Sequence, residues 1–315
     1  MIDKNTLFIL GAGASQPYGY PLGSELRKLI CDLNGEHNSL VHHIASEGTF
    51  TKQEIINFAE QFRRSGTPSI DKFLSGRSDL VSIGKLIIGA VLSVREDPDK
   101  IFSVDNEDHW YSYLWNALTD DASTGEELRR NKVRFITFNY DRSLEFFLHE
   151  ATKATYKCWD NVAFDYWSHF EIAHAYGRIG DTNFADVVNV MPYAPGKTPQ
   201  AVMQAGRLIN IIPEDRDGDQ IFQVARQWFD WAKHVYILGF GFDRMNCERL
   251  NFSSVIENKK ANNQPLPEIH ASVLDLTGKE RDVAKERLIG VDCSWITHYK
   301  MNLKTLRHAG LPEAN

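Results

Sequence analysis

The sequence predicts an α/β protein: a parallel sheet with helices on both faces and an inserted helical subdomain. Three observations carry that prediction. A four-residue apolar run, Leu7-Phe8-Ile9-Leu10, stops abruptly at Gly11-Ala12-Gly13-Ala14-Ser15, as a buried strand feeding a helix does. Strand signals then vanish for about ninety residues in favour of helical periodicity. From Val133 onward, continuous apolar runs alternate with helical stretches, the pattern of parallel strands covered on both faces.

Taken in order, Leu26, Leu29, Ile30 and Leu33 fall at helical spacing behind the glycine turn. Three amphipathic stripes follow: Ile55, Phe58, Ala59 and Phe62; Leu80, Ile83, Ile87, Val91 and Val94; Tyr111, Leu114, Trp115 and Leu118. Each approximates the i, i+3, i+4, i+7 pattern of one buried helical face. Glu107-Asp108 suits the start of the third helix, where acidic groups oppose the positive end of the dipole. An acidic loop, Asp120 to Glu127, closes this block. Strands are then expected at Val133 to Phe138, Leu208 to Ile212, Val235 to Leu238, Ile269 to Leu274 and Trp295 to Tyr299. Helices lie between them, marked by Leu144, Phe147, Leu148 and Ala151, and by Ile221, Val224, Ala225, Trp228 and Ala232. The domains expected are 1–39 with 129–315, a Rossmann-like unit, and 40–128, the helical insertion.

Composition narrows the function classes. The chain has 315 residues, 43% apolar and 24% charged, with a net charge of −7. That balance and the lack of a Lys/Arg run argue against direct nucleic-acid binding, whose affinity comes mainly from cations on phosphates. The four cysteines, Cys31, Cys158, Cys247 and Cys293, have no zinc-ligand spacing, so no zinc site is expected. No stretch reaches membrane-spanning length, and Met1-Ile2-Asp3-Lys4-Asn5 is not a basic leader. A cytoplasmic protein without membrane contact is expected.

Ligands of parallel sheets sit at the carboxyl ends of the strands. The first strand ends in Gly11-Ala12-Gly13-Ala14-Ser15, the strand at Val133 in Asn139-Tyr140-Asp141-Arg142, and the strand at Val235 in Gly239-Phe240-Gly241-Phe242-Asp243; a further segment reaches His174-Ala175-Tyr176-Gly177. A glycine turn after a strand can bring backbone N–H groups against a pyrophosphate, or can simply be a tight strand-to-helix turn. In the first reading Gly13 leaves no side chain where a phosphate approaches; Gln16 stands where a third motif glycine would be. Asn139 reads as a ligand-facing amide, or as a helix cap or Asx turn. Ser15 and Asp141 carry the same alternatives, and His174 reads as a base or as a hydrogen-bonded structural histidine.

Gly-Ala-Gly-Ala-Ser, Thr137-Phe138-Asn139-Tyr140-Asp141, His174-x-x-Gly177 and Leu238-Gly239-Phe240-Gly241 occur in the order of the sirtuin fold. Over residues 6 to 275 the chain most resembles the bacterial sirtuin-like domains of anti-phage defence systems, which hydrolyse NAD. The resemblance implies a pyrophosphate loop at Gly11, Ala12, Gly13 and Ser15. It implies ribose and carboxamide contacts at Asn139 and Asp141, a catalytic His174, and cofactor contacts at Gly239, Gly241 and Asp243. The chain departs from true deacylases in three ways. Phe138 stands for their glutamine, Gly19-Tyr20-Pro21-Leu22 replaces their arginine-bearing cofactor loop, and their zinc cysteines are missing.

The resemblance therefore implies an NAD glycohydrolase that depletes NAD in abortive infection, with NAD as substrate. The pyridinium leaves as a neutral molecule, so no general acid is needed. His174 is expected as general base, a role worth about 10²- to 10⁴-fold. Asn139 is expected to orient the ribose hydroxyl or the water. The alternatives are an NAD-dependent protein deacylase and a non-catalytic NAD- or nucleotide-binding regulatory domain. A homo-oligomer is expected from Trp110, Tyr111 and Trp115, more aromatic surface than a small bundle buries. The resemblance adds a HerA-like hexameric ATPase as partner.

Overall fold

The computed structural model describes residues 1–34, 39–46, 48–182, 184, 191–194, 204–211, 219–273, 276–289, 296–299 and 301–311. Its centre is a six-stranded, wholly parallel sheet in the order β3-β2-β1-β4-β5-β6. The strands are β1 (Thr6–Leu10), β2 (Val133–Thr137), β3 (Glu171–His174), β4 (His234–Leu238), β5 (Glu268–Ser272) and β6 (Ile296–Tyr299). This is the order of a Rossmann-like α/β fold, in which the chain first winds to one side of β1 and then to the other. The apolar run that defines β1 is buried on both faces, with Leu7, Phe8 and Ile9 at 0% exposure. Phe8 stacks against Phe135 on β2 (5.1 Å) and Tyr236 on β4 (5.2 Å), so the three central strands share one aromatic layer.

Between β1 and β2 every regular element among the described residues is helical: α1 (Ala12–Ser15), α2 (Gly23–Cys31), α3 (Ser39–Ser46), α4 (Lys52–Arg64), α5 (Ile70–Ser75), α6 (Val81–Ser93), α7 (Pro98–Ile101), α8 (Trp110–Thr119) and α9 (Gly125–Leu128). In α4 the stripe Ile55, Phe58, Ala59, Phe62 is buried as its spacing requires. Thr51 and Glu54 close a reciprocal capping box in front of it. Helix α6 has no continuous polar stripe, and every residue from Leu86 to Ser93 is buried. One continuous cluster of buried side chains joins this block (Phe58, Ile87, Trp115) to the sheet (Phe8, Phe135, Ile237). The sequence division at 40–128 thus marks a change of secondary structure within one core.

Behind β2 run α10 (Ser143–Tyr156) and α11 (Asp160–Trp167); α12 (Asp219–Trp231) precedes β4. Then come α13 (Arg244–Leu250), α14 (Phe252–Ala261), α15 (Gly278–Ile289) and, after β6, α16 (Asn302–Ala309).

Several expectations need correction. Leu208 to Ile211 form no strand of the sheet: Ile209 makes one isolated antiparallel bridge with Gly177, while Ile212 and Pro213 lie outside the described residues. Leu274, Cys293 and Trp295 also lie outside them. Glu171–His174 instead supplies an edge strand beside β2. The acidic loop ends in the short helix α9, capped by Thr124. Asp108 does not cap α8, where the His109 ring accepts from Ser112 N–H; its carboxylate accepts from Leu303 N (2.6 Å) and Asn302 N (3.3 Å) at the start of α16. The aromatic argument for a homo-oligomer also fails, because Trp110, Tyr111 and Trp115 are buried inside the chain at 0%, 1% and 9% exposure. No helix among the described residues is long and apolar enough to cross a membrane.

Candidate functional site at the carboxyl edge of the sheet

The parallel register sets four strand ends side by side. Leu10 pairs with Thr137 on one flank and Leu238 on the other, and Thr137 pairs with His174. The loops that leave these ends therefore meet at one edge, beside the point where the strand order changes direction and such sheets leave a crevice.

On the β1–β4 side the contact is backbone on backbone. Gly11 N–H donates to Leu238 O (3.0 Å) and Gly13 N–H to Gly239 O (2.9 Å). A Cβ on Gly13 would lie 2.7 Å from Gly239 Cα, and one on Gly239 would lie 2.0 Å from Ala14 N. Gly239 also sits at φ +58°, a conformation that favours glycine. Gly13 thus has a packing reason to be glycine, the close approach of Gly239, beside the phosphate approach expected of it. Two N–H groups of the expected phosphate loop are already bonded to the neighbouring strand and its loop. Ala12 opens the single turn α1 and is half-buried. Gly241 differs from the others, with nothing within 4 Å of its Cβ direction. Asp243 is exposed and caps α13, accepting from Met245 N (2.9 Å) and Asn246 N (3.3 Å).

On the β2–β3 side the contact is polar. The buried Asn139 amide donates through Nδ2 to Gly11 O and to Ser15 Oγ, both at 2.9 Å. Its Oδ1 has no hydrogen-bond partner among the described residues. The Ser15 hydroxyl also meets Asp141. Asp141 accepts from Ser143 N (3.1 Å) and from the Ser143 hydroxyl, an Asx turn that starts α10. Burial pushes the Asp141 carboxyl above its ordinary range, against the pull of the Ser143 and Ser15 hydrogen bonds.

His174 is engaged at both ring nitrogens: Nδ1 donates to Asn139 O (3.0 Å), and Nε2 pairs with Glu145 Oε1 (2.6 Å). The two side chains are 3% and 4% exposed. Burial by itself would raise the Glu145 carboxyl, but the charge and hydrogen bond of His174 reverse this and hold it below the usual range. In this arrangement neither ring nitrogen offers a free lone pair to a water. The bonds His174 makes serve to fix the Asn139 backbone, which differs from the base role expected of it. Sequence reasoning missed Glu145, although its signal was present: one carboxylate inside the apolar run Leu144-Glu145-Phe146-Phe147-Leu148, a position that needs a partner.

Three further connections were not legible. Gly239 N–H donates to Ser272 Oγ (2.7 Å), the Ser272 hydroxyl to Asn302 Oδ1 (2.9 Å), and Asn302 Nδ2 to Gly13 O (3.0 Å) and Asp108 Oδ2 (3.1 Å). This chain of bonds ties both glycine loops to β5, α16 and the helical block. Arg142 is fully buried and doubly bonded to Glu96 (2.7 and 3.0 Å), and it also donates to Asp181 O, Met191 O and Pro192 O at 2.6–2.7 Å. Tyr140 donates to Asp71 on α5, so all three polar residues of Asn-Tyr-Asp have partners outside their own loop.

Cys31, Cys158 and Cys247 are free thiols, and Cys247 N–H bonds Asp243 O (3.0 Å) at the start of α13. His149, Glu150 and Asp160 lie close enough to share a cation, but Lys153 already bridges the two carboxylates at 2.9 and 2.8 Å. Comparison with protein-family models and with curated proteins finds no match to this chain.

Proposed function

We propose that the chain hydrolyses the nicotinamide–ribose N-glycosidic bond of NAD, giving nicotinamide and ADP-ribose. The observation that carries this reading is Asn139, at the carboxyl edge of the sheet: its amide nitrogen is anchored by Gly11 O and Ser15 Oγ, and its Oδ1 stays without a partner among the described residues. An acceptor held so firmly suits a ribose hydroxyl or an attacking water, because positioning contributes only when the geometry is fixed in advance. The leaving pyridinium departs neutral and generates an oxocarbenium-like centre; water adds to it and then loses its proton. Bond cleavage precedes that proton loss, so a base bonded directly to the water is dispensable. His174 acts here as a positioning residue for Asn139. A cleft of about 560 Å³ beside Gly241, with Lys279 and Arg287 of α15 among its lining, suits the nucleotide's phosphate and adenosine portion.

The sirtuin-like resemblance supports the same reaction and, with it, the role of an NAD-depleting effector in anti-phage defence. It also supports an ATPase partner of the HerA type. A second reading, a non-catalytic NAD-binding regulatory domain, is favoured by the closed His174–Glu145 pair. Nicotinamide release separates the two. Wild type should release nicotinamide without any acyl-peptide, and Asn139→Ala should abolish release at saturating NAD. His174→Ala should lose at least tenfold in kcat with an unchanged shape of the pH–rate profile. Disappearance of a histidine-range limb in that variant would restore His174 as the base. NAD binding with no nicotinamide release by wild type would establish the regulatory reading.

A further inference from the structure

A second cleft, of about 530 Å³, opens between the segment Gln16–Pro21, helix α2 and the chain just past α6. None of Gly11, Gly13, Asn139, His174 or Gly239 lines it. Its charged residues are Glu25, Lys28, Asp32 and Arg95. The two carboxylates are engaged: Glu25 accepts from Leu22 N (2.8 Å) at the start of α2, and Asp32 has a contact of its own. The two cations are not. Neither the half-buried Arg95 guanidinium nor the Lys28 ammonium has a side-chain hydrogen bond or ion pair among the described residues. Other arginines of this part of the molecule are bonded: Arg27 to the Thr67 and Arg63 carbonyls, Arg77 to Asp79, Arg142 to Glu96.

A guanidinium drawn half out of water without a partner is unfavourable, and burial accordingly pulls Arg95 below its ordinary range, partly offset by the charge of Glu25. Its backbone has little freedom to move away. Arg95 N–H bonds Leu92 O (2.9 Å), and the next residue, Glu96, is locked in the buried pair with Arg142. Arg95 is thus held facing a cleft whose volume lies in the range of small-molecule sites. Tyr20, Pro21 and Leu29 supply apolar wall beside it.

We propose that this cleft binds a phosphomonoester, with Arg95 as the principal phosphate ligand and Lys28 as the second cation. A guanidinium presents a fork of donors matched to phosphate oxygens, and an ammonium adds a point charge. Free phosphate and a nucleotide's terminal phosphate share this chemistry. Calorimetric titration of the full chain at constant ionic strength, with inorganic phosphate, AMP and adenosine as probes, distinguishes them. Phosphate and AMP should both bind and adenosine should not; tighter binding of AMP identifies a nucleotide site, and equal binding a phosphate site. Arg95→Ala should weaken phosphate and AMP at least tenfold, Arg95→Lys less, and the exposed Lys28→Ala about threefold. Absence of phosphate and AMP binding to wild type, or equal affinity in wild type and Arg95→Ala, would each overturn the proposal. Thermal unfolding of Arg95→Ala at the wild-type temperature excludes misfolding as the cause of weakened binding.

Discussion

The two halves of the carboxyl edge are built on opposite principles. Where β1 meets β4, the loops touch through glycine backbones, and any side chain at Gly13 or Gly239 collides with main-chain atoms. Where β2 meets β3, the loops touch through buried polar side chains, each with a named partner: Asn139 with Gly11 and Ser15, Asp141 with Ser143, His174 with Glu145. The first half is specified by excluded volume and tolerates almost no substitution. The second is specified by electrostatics, so it tolerates a substitution that keeps the donor or acceptor and fails with one that leaves a partner bare. The lesson is that a glycine-rich turn before a helix is weak evidence for phosphate until the space its missing side chains leave has been accounted for.

The largest effect should come from the glycine side. Gly239→Ala or Gly13→Val should destabilise the fold by about 3 kcal/mol or more, at or beyond the upper end of ordinary overpacking. Gly241→Ala, in open space, should change stability by no more than about 0.5 kcal/mol. Chemical denaturation of the three variants measures this; a folded, normally stable Gly13→Val that has lost only NAD binding would show that the space belongs to the ligand after all.

Next comes the buried pair on the polar side. Glu145→Ala removes one partner of a buried ion pair and should cost about 3–5 kcal/mol, whereas Glu145→Gln, which keeps an acceptor, should cost less. The Glu145 carboxyl lies below its ordinary value in the folded state, so its contribution to stability is fully present above the ordinary carboxylate range. That contribution is lost as pH falls through the lowered folded value. Unfolding curves between pH 7 and about pH 3 should therefore decline less steeply for Glu145→Gln than for wild type; parallel curves would remove the ion pair from the comparison.

The smallest effect is at the rim. Asp243→Ala should lose the cap of α13, about 1 kcal/mol, with Asp243→Asn close to neutral. If KM for NAD rose in both variants at unchanged stability, Asp243 would belong to the ligand site rather than to the helix.

The strands were legible because a parallel sheet buried on both faces writes continuous apolar runs, as at Leu7 to Leu10 and Val235 to Leu238. Strand β3 was not: Glu171 and His174 break any apolar run, and the strand borders only β2. At the candidate site, the strand-end rule found Asn139, Asp141 and Ser15, and these do meet. It could not find Glu145, Ser272, Asn302 or Asp108, because their partners lie 29 to 289 residues away and no local spacing encodes such pairs. For the same reason Asp108 looked like a cap for the helix after it and instead holds one formed by the last part of the chain.

The sheet order also has a consequence for how the chain is made. Its central strand is the first to leave the ribosome, yet its two neighbours are not synthesised until Val133 and His234. Until then Leu7 to Leu10, buried in the finished protein, have no strand to pair with and only the helical block to shelter against. Contacts of such long sequence separation close slowly. Folding should therefore begin in the helices between β1 and β2, and the nascent β1 segment should be a binding site for chaperones that recognise short apolar segments. The last strands to arrive would release it.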